Sequence, residues 1–344
     1  MELDRLGNAM REIRERQHRK WRGYEEEHMT QFRKALRLRA EEEHRDLQES
    51  VLSLGGYFVP EQFYYKITAM MKQVDRLFDP EVVLFIESEN GGPMPLPLID
   101  DTGVSASIVS EGVQSTTADI SVGVQKLDEA PNWRSHLIKF SIELIQDSAF
   151  KIDELLATSF GIRLARGIGA SFLTQLLSSA QLGITAAGSS GNTGGAETGG
   201  TSVGSDDLEG LVSSVDQAYR ISPKARWLMQ SSTLKTILQV KDKYGRPLFP
   251  RERNGAGESM LLGYPVAISP SMPAIGLGNK PIMFGDVGRF IVRVVKNSGR
   301  LQANNERFAE YGQVAYEMFM RTNGALAIAG SSDSPVKYLQ NAAV

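Results

Sequence analysis

The residues of this 344-residue chain that could do chemistry are few, and their spacing argues against most of it. GTSVG (residues 200–204) has the G-x-S-x-G spacing that makes a serine on a tight strand-to-helix turn a nucleophile. His136 would be its base, because His18, His28 and His44 all lie within the first fifty residues. That mechanism needs a strand entering the serine and a helix leaving it, whereas Ser202 ends a Gly-, Ser-, Thr- and Ala-rich run (residues 182–205) with the composition of a flexible loop. A soluble serine hydrolase using Ser202 and His136 is therefore the alternative from a different class, not the leading expectation. GIGASF (residues 167–172) fails as a dinucleotide fingerprint, since Phe172 stands where the third glycine belongs and no strand leads in. The acidic pairs Asp100–Asp101 and Asp206–Asp207 lack the further spaced oxygen ligands of a hard-cation site and suit a turn and a helix cap. No catalytic residue, metal site or cofactor is expected.

Composition narrows the class. A net charge of −3 gives no basic field to draw the whole chain onto nucleic acid. The absence of cysteine excludes disulfides and thiolate metal sites, in keeping with a reducing cytoplasm. No apolar run reaches bilayer length and the N-terminus has no secretory signal, so the expectation is a soluble chain that is not exported.

The elements that would position any site have distinct patterns. Residues 140–175 predict one long amphipathic helix, with Ile152, Leu155, Leu156, Phe160, Leu164, Ile168, Phe172 and Leu176 on a single face. Residues 81–126 predict two β segments: VVLFIE (residues 82–87) leads through a reach with prolines at 93, 95 and 97, and a return alternates at Ile120, Val122 and Val124. The prolines remove amide donors, so this stretch belongs on an edge or a projection. A two-stranded ribbon is barely stable alone in water, which predicts that it lies across a neighbouring copy. The first fifty residues carry 12 Lys or Arg and 12 Asp or Glu, with Leu3, Leu6, Met10 and Ile13 at heptad-like spacing, the pattern of a helical or coiled-coil segment or of a solvated tail. Residues 206–220 predict a capped helix, 226–230 a short buried strand, 231–242 another helix and 243–250 a turn. Residues 261–269 and 290–295 predict strands. GQVAYEMFMRT (residues 312–322) predicts a strand with Val314, Tyr316, Met318 and Met320 on one face, packed beneath the long helix.

From about residue 55 to the end the chain resembles the major capsid proteins of tailed bacteriophages, the Hong Kong 97-type shell family. The resemblance is carried by GGYFVPEQF (residues 55–63), SIVSEGV (107–113), SIELIQDS (141–148), ARWLMQSSTLKTILQVKDKYGRPLFP (225–250), LLGYPVAISPSMP (261–273), IMFGDVGRFIVRVV (282–295) and YGQVAYEMFMRTNGAL (311–326). It implies an α+β Hong Kong 97-like capsid fold: a scaffold-like segment over residues 1–50, an N-terminal arm over 51–80, an extended hairpin loop over 81–126, a peripheral domain with the spine helix from 127–181 and 282–344, and an axial domain over 182–281. It further implies subunit contacts at Phe58, Asp100, Asp101, Glu111, Tyr244 and Arg246. The implied partners are copies of the chain itself in pentamers and hexamers, with a portal, a scaffold or maturation protease, and a decoration protein beside them. The implied particle is a virion head, assembled in the host bacterial cytoplasm, that encloses DNA without sequence-specific binding and has no membrane, and its rounder precursor expands on maturation. An encapsulin-like nanocompartment of the same fold is the alternative. One departure stands out: the family's founding member bonds a lysine of this loop covalently to a neighbour, and no lysine lies between Lys72 and Lys126 here. The expectation is no such bond.

Overall fold

The computed structural model describes residues 56–58, 61–100, 108, 121–147, 152–186, 203–241, 244–249, 252–255, 257–304, 306–328 and 334–341. The expectations for residues 1–50, Asp101, Glu111 and Ser202 lie outside them. In chain order, strand β1 (Gly56–Phe58) is followed by helix α1 (Glu61–Val74), β2 (Leu84–Ser88), β3 (Met94–Asp100), β4 (Ser121–Leu127), β5 (Asn132–Arg134), β6 (Ile138–Ser141), α2 (Ile142–Asp147), the 28-residue α3 (Ile152–Ser179) and β7 (Gln181–Ala186). Then come α4 (Ser205–Ser214), α5 (Gln217–Arg220), β8 (Ala225–Met229), α6 (Ser231–Leu238), β9 (Met260–Leu261), β10 (Tyr264–Ile268), β11 (Ile282–Asp286), β12 (Phe290–Val295), β13 (Arg300–Asn304), β14 (Gln313–Leu326) and β15 (Val336–Asn341). Among the described residues no helix is long and apolar enough to cross a membrane.

Two compact units divide the chain. The first takes the described residues up to Met70, Arg134–Gly161 and Asn297–Met320; the second takes Met71–Trp133, Ile162–Lys296 and the described residues from Arg321 on. In the first unit an antiparallel sheet runs β1, β13, β14, β6, with Tyr57 opposite Leu301, Leu301 opposite Met318, and Val314 opposite Phe140. The alternation expected for β14 holds from Tyr316 to Arg321: Val314, Tyr316, Met318 and Met320 are all buried and Glu317, Phe319 and Arg321 half-buried, whereas Ala315 on the second face is buried as well. Phe63 and Ile67, four residues apart on α1, are both buried, whereas Tyr65 faces solvent. Here α1 presses directly on α3, because Gly161 has no side chain and a Cβ there would lie 2.6 Å from Met70 Cβ and 3.0 Å from the Ile67 carbonyl. The Lys66 ammonium meets the Glu154 carboxylate at 3.3 Å across the same contact.

The long helix starts later than its sequence pattern predicts. Phe140 and Ser141 belong to strand β6, paired with β14, and α3 begins at Ile152. Leu156, Phe160, Leu164, Ile168, Phe172 and Leu176 are buried as expected, but Leu155 is 52% exposed. Leu155 precedes Leu156, so about 100° of helical rotation carries it off the buried stripe.

In the second unit a six-stranded sheet has the order β7-β15-β11-β8-β10-β9, with β10 parallel to β8 and β11 antiparallel to both β8 and β15. Its core joins Leu208 and Leu211 from α4, Ile237 from α6, Leu339 from β15, and an aromatic cluster in which Phe284 lies 4.7 Å from Trp227 and 4.8 Å from Tyr264 between ring centroids. Strand β12 pairs antiparallel with the second half of β14 and parallel with β2. Phe172 of α3 packs between Phe78 and Phe290, 5.5 and 5.7 Å away.

Two pairings differ from the sequence expectation. The segment expected to open the hairpin, residues 82–87, supplies β2, whose partner is β12; the hairpin begins only at β3. A short run of Val, Leu, Phe and Ile fits either pairing, and the distant β12 decides it. Strand β11, expected on the far side of a boundary at Ile282, is instead hydrogen-bonded to β8, with every residue buried as in a central strand. A turn follows β11, capped by Asp286, whose Oδ1 accepts from the Gly288 amide at 3.1 Å.

Candidate assembly arm and its socket

Strands β3 and β4 form an isolated antiparallel ribbon, from Met94 opposite Leu127 to Asp100 opposite Ser121. Pro95 and Pro97 fit because half the amides of a two-stranded ribbon face outward and need no strand partner. The inward face pairs Met94 with Leu127 and Leu96 with Gln125; the outward face pairs Pro95 with Lys126 and Pro97 with Val124. The return strand's parity is thus opposite to that predicted. Val124 is 68% exposed, and Leu127 and half-buried Gln125 point inward. The reason is polar as much as apolar: Gln125 Nε2 donates to the Leu326 carbonyl at 2.9 Å and its Oε1 accepts from the Ile328 amide at 3.3 Å.

The ribbon also has a small core at its root, which the sequence did not suggest. Leu96 and Leu127 are buried with Ile291 and Ala327, and Met94, Leu98, Ile86 and Ala325 pack around them. Behind this core lies a polar socket. Arg293, in the middle of β12, donates from Nη1 to the Gly92 carbonyl at 2.6 Å and from Nη2 to the carbonyls of Gly91 at 3.1 Å and Asp128 at 2.9 Å. Arg321 on β14 donates from Nε and Nη2 to the Ala130 carbonyl, both at 3.2 Å. Asn323 Nδ2 reaches the Asp128 carbonyl at 3.2 Å, and its Oδ1 accepts from Gln175 Nε2 on α3 at 3.0 Å. Burial pushes the Arg293 pKa down and the nearby Arg321 charge pushes the same way, while Glu129 opposes them.

Elsewhere in this unit Asp75 is buried, its Oδ1 accepting from the Leu77 amide at 2.9 Å and its Oδ2 from Ser269 Oγ at 2.7 Å. Burial raises its pKa and the two hydrogen bonds oppose the rise. Arg76 pairs with Asp79 at 2.5 Å and Glu258 at 3.0 Å, and Arg226 donates to the Glu81 carbonyl at 3.3 Å. Of the acidic pair at 206–207, Asp207 Oδ2 accepts from the Gly204 amide at 2.9 Å at the start of α4, a capping role.

The sequence-predicted contact residues are dispersed. Phe58 lies on β1 opposite Arg300, and Asp100 ends β3 opposite Ser121. Tyr244 and Arg246 flank Gly245, whose φ of +79° makes the tight turn, and both are exposed. His136 lies between β5 and β6 with φ at +61°. Sequence reasoning missed Arg293, Arg321, Asn323 and Gln125. The available signal was Arg293, a single charge inside the apolar run FIVRVV.

Residues 55–331 match the model of the phage capsid family, and the chain belongs to that family. It is a structural protein of the capsid class, with a fold consistent with the Hong Kong 97-like one. Among solved structures it is similar to the capsid of an empty GTA particle computed with C5 symmetry, at 23% identity and a TM-score of 0.59, covering 80% of this chain and 90% of that one. The capsid of the native GTA particle matches over the same shares at 22% identity and a TM-score of 0.58. A structure of Microbacterium phage Oxtober96 matches at 14% identity and a TM-score of 0.50, covering 75% and 88%. No curated protein matches the chain.

Proposed function

We propose that the protein is a major capsid subunit whose work is self-association: copies gather into pentamers and hexamers and close an icosahedral shell around double-stranded DNA. The observation that carries this reading is the β3–β4 ribbon, anchored at one end by its own chain and exposing Val124 on its outer face. Such a ribbon gains its remaining stability from a neighbour's surface, and many modest contacts of this kind add up through closure. The near-neutral charge suits a wall that holds DNA without gripping it along its length.

In this reading α3 is the spine of a peripheral domain that includes β12 to β14, and the six-stranded sheet with α4 and α6 is the axial domain, its Tyr244–Arg246 turn meeting its counterparts around the symmetry axes. Phe58, Asp100, Asp101 and Glu111 serve arm and loop contacts. Residues 1–50 act as an internal scaffold. Portal, maturation protease and decoration protein are the further partners, with assembly in the host bacterial cytoplasm. No reaction is assigned to Ser202 and His136, and an encapsulin-like compartment is not favoured, because the family and the similar solved structures are capsids.

Negative-stain microscopy of the purified full chain, with intact mass of the assembled material, tests this. Closed particles of uniform diameter are expected; a chain that stays monomeric at high concentration would refute it.

A further inference from the structure

Arg293 is 1% exposed in the middle of a strand, and its hydrogen bonds run to backbone carbonyls. Burying a guanidinium is costly unless its donors are met, and here both terminal nitrogens have carbonyl partners while the buried Nε has none, so this position is an arrangement with a purpose beyond filling a core. The carbonyls it meets are placed with respect to the ribbon in one specific way. Gly91 and Gly92 lie just before β3 begins, and Asp128 lies just after β4 ends. A guanidinium holds its donors in a rigid planar fork, so fixing both sets of carbonyls fixes the separation and the mutual angle of the two chain segments that enter and leave the ribbon.

The surrounding groups complete the grip. The Ala130 amide donates to the Gly91 carbonyl at 2.9 Å, tying one root to the other, and Arg321 holds the Ala130 carbonyl from the neighbouring strand. A Cβ on Gly91 would collide with the Arg321 guanidinium, which would have to shift. Thr322 Oγ1 donates to the Arg293 carbonyl at 2.8 Å, which locks the arginine's own strand to β14.

We infer that Arg293 is a positioning residue for shell assembly: its fork sets the direction in which the β3–β4 ribbon leaves the body, and with it the angle at which neighbouring copies join. This rests on the reading of the chain as a shell subunit. Lysine at this position would keep the charge but lose the planar fork, so geometry and charge can be separated.

The test compares the full-length chain with Arg293→Lys. Three readouts are taken: folding of the unassembled chain by circular dichroism and melting, deuterium exchange at the Ala130 amide and at the ribbon amides, and particle diameters by electron microscopy. The expected result is a folded variant whose ribbon amides stay protected, whose Ala130 amide exchanges on the order of 10-fold faster, and whose particles lose their single diameter or fail to close. A residue that only stabilised the fold would shift melting and leave diameters unchanged. A folded variant with wild-type Ala130 exchange and wild-type diameters overturns the inference. If Arg293→Lys does not fold, Arg293→Gln carries the test: its single, shorter amide cannot span the carbonyls of both roots, and dispersed diameters are again expected, uniform ones contrary. Should the wild-type chain itself form no particles, the shell reading fails, while Ala130 exchange in Arg293→Lys still decides whether the fork holds the root.

Discussion

Gln125 and Leu326 join the arm to the body: the Gln125 carboxamide donates to the Leu326 carbonyl at 2.9 Å and accepts from the Ile328 amide two residues on, as a third strand would. Gln125→Ala leaves both backbone groups without that partner in a half-buried setting. The expected loss is about 1–3 kcal/mol, read by denaturant or thermal unfolding of the unassembled chain. An unchanged melting curve would show that water replaces the carboxamide without cost.

Val124, on the opposite parity of the same strand, predicts the reverse behaviour. It is 68% exposed in the single chain, so Val124→Asp should move the stability of the unassembled chain by no more than about 0.5 kcal/mol. Buried beneath a neighbour, an unpaired carboxylate is costly, so particle yield should fall sharply. Equal yields from Val124→Asp and wild type would place this face in solvent in the shell as well.

Asp75 gives the chain a dependence on pH. Its carboxyl has a pKa raised above the ordinary aspartate value of 3.8 by burial, so the folded state holds a proton that the unfolded state releases first. The associated stability is complete below the unfolded value and is lost as pH rises through the raised folded value. Asp75→Asn keeps groups that can accept from the Leu77 amide and donate to Ser269 Oγ, and cannot ionise. Chemical denaturation across mildly acidic to neutral pH should therefore show a flatter profile for Asp75→Asn than for wild type; parallel profiles would contradict this.

The loop sequence excludes one form of covalent reinforcement. With no lysine between Lys72 and Lys126, the reach of the ribbon beyond its root carries no amine for a bond to a neighbour's side chain, and Lys126 lies at the root, opposite Pro95. Boiled mature particles should run as a single-chain band on a denaturing gel, and a ladder of multimers would be the contrary result.

What was legible in the sequence was local. The alternation at Val314, Tyr316, Met318 and Met320 announced β14, and the spacing from Leu156 to Leu176 announced α3, because each pattern is set by burial of one face. The prolines at 95 and 97 pointed to a ribbon outside any larger sheet. Three things depended on distant partners and were not legible. β2 takes its place from β12, more than two hundred residues on; β6 is a strand because β14 lies beside it; and β11 joins β8 and the distant β15 rather than β12, which follows it directly. The face of β4 was misjudged because β-branched Val124 looked like the buried residue, while a glutamine with two backbone partners took the inward position. The socket was invisible for a related reason, since what Arg293 grips is backbone carbonyl, which every residue carries.

Deuterium exchange of residues 94–100 and 121–127 in the assembled particle and in the unassembled chain tests the central claim most directly. The account predicts that amides on the ribbon's outer edges exchange markedly more slowly once copies have closed around them. Equal exchange in both states would mean that the arm gains nothing from its neighbours, and the assembly mechanism proposed for this chain would be wrong.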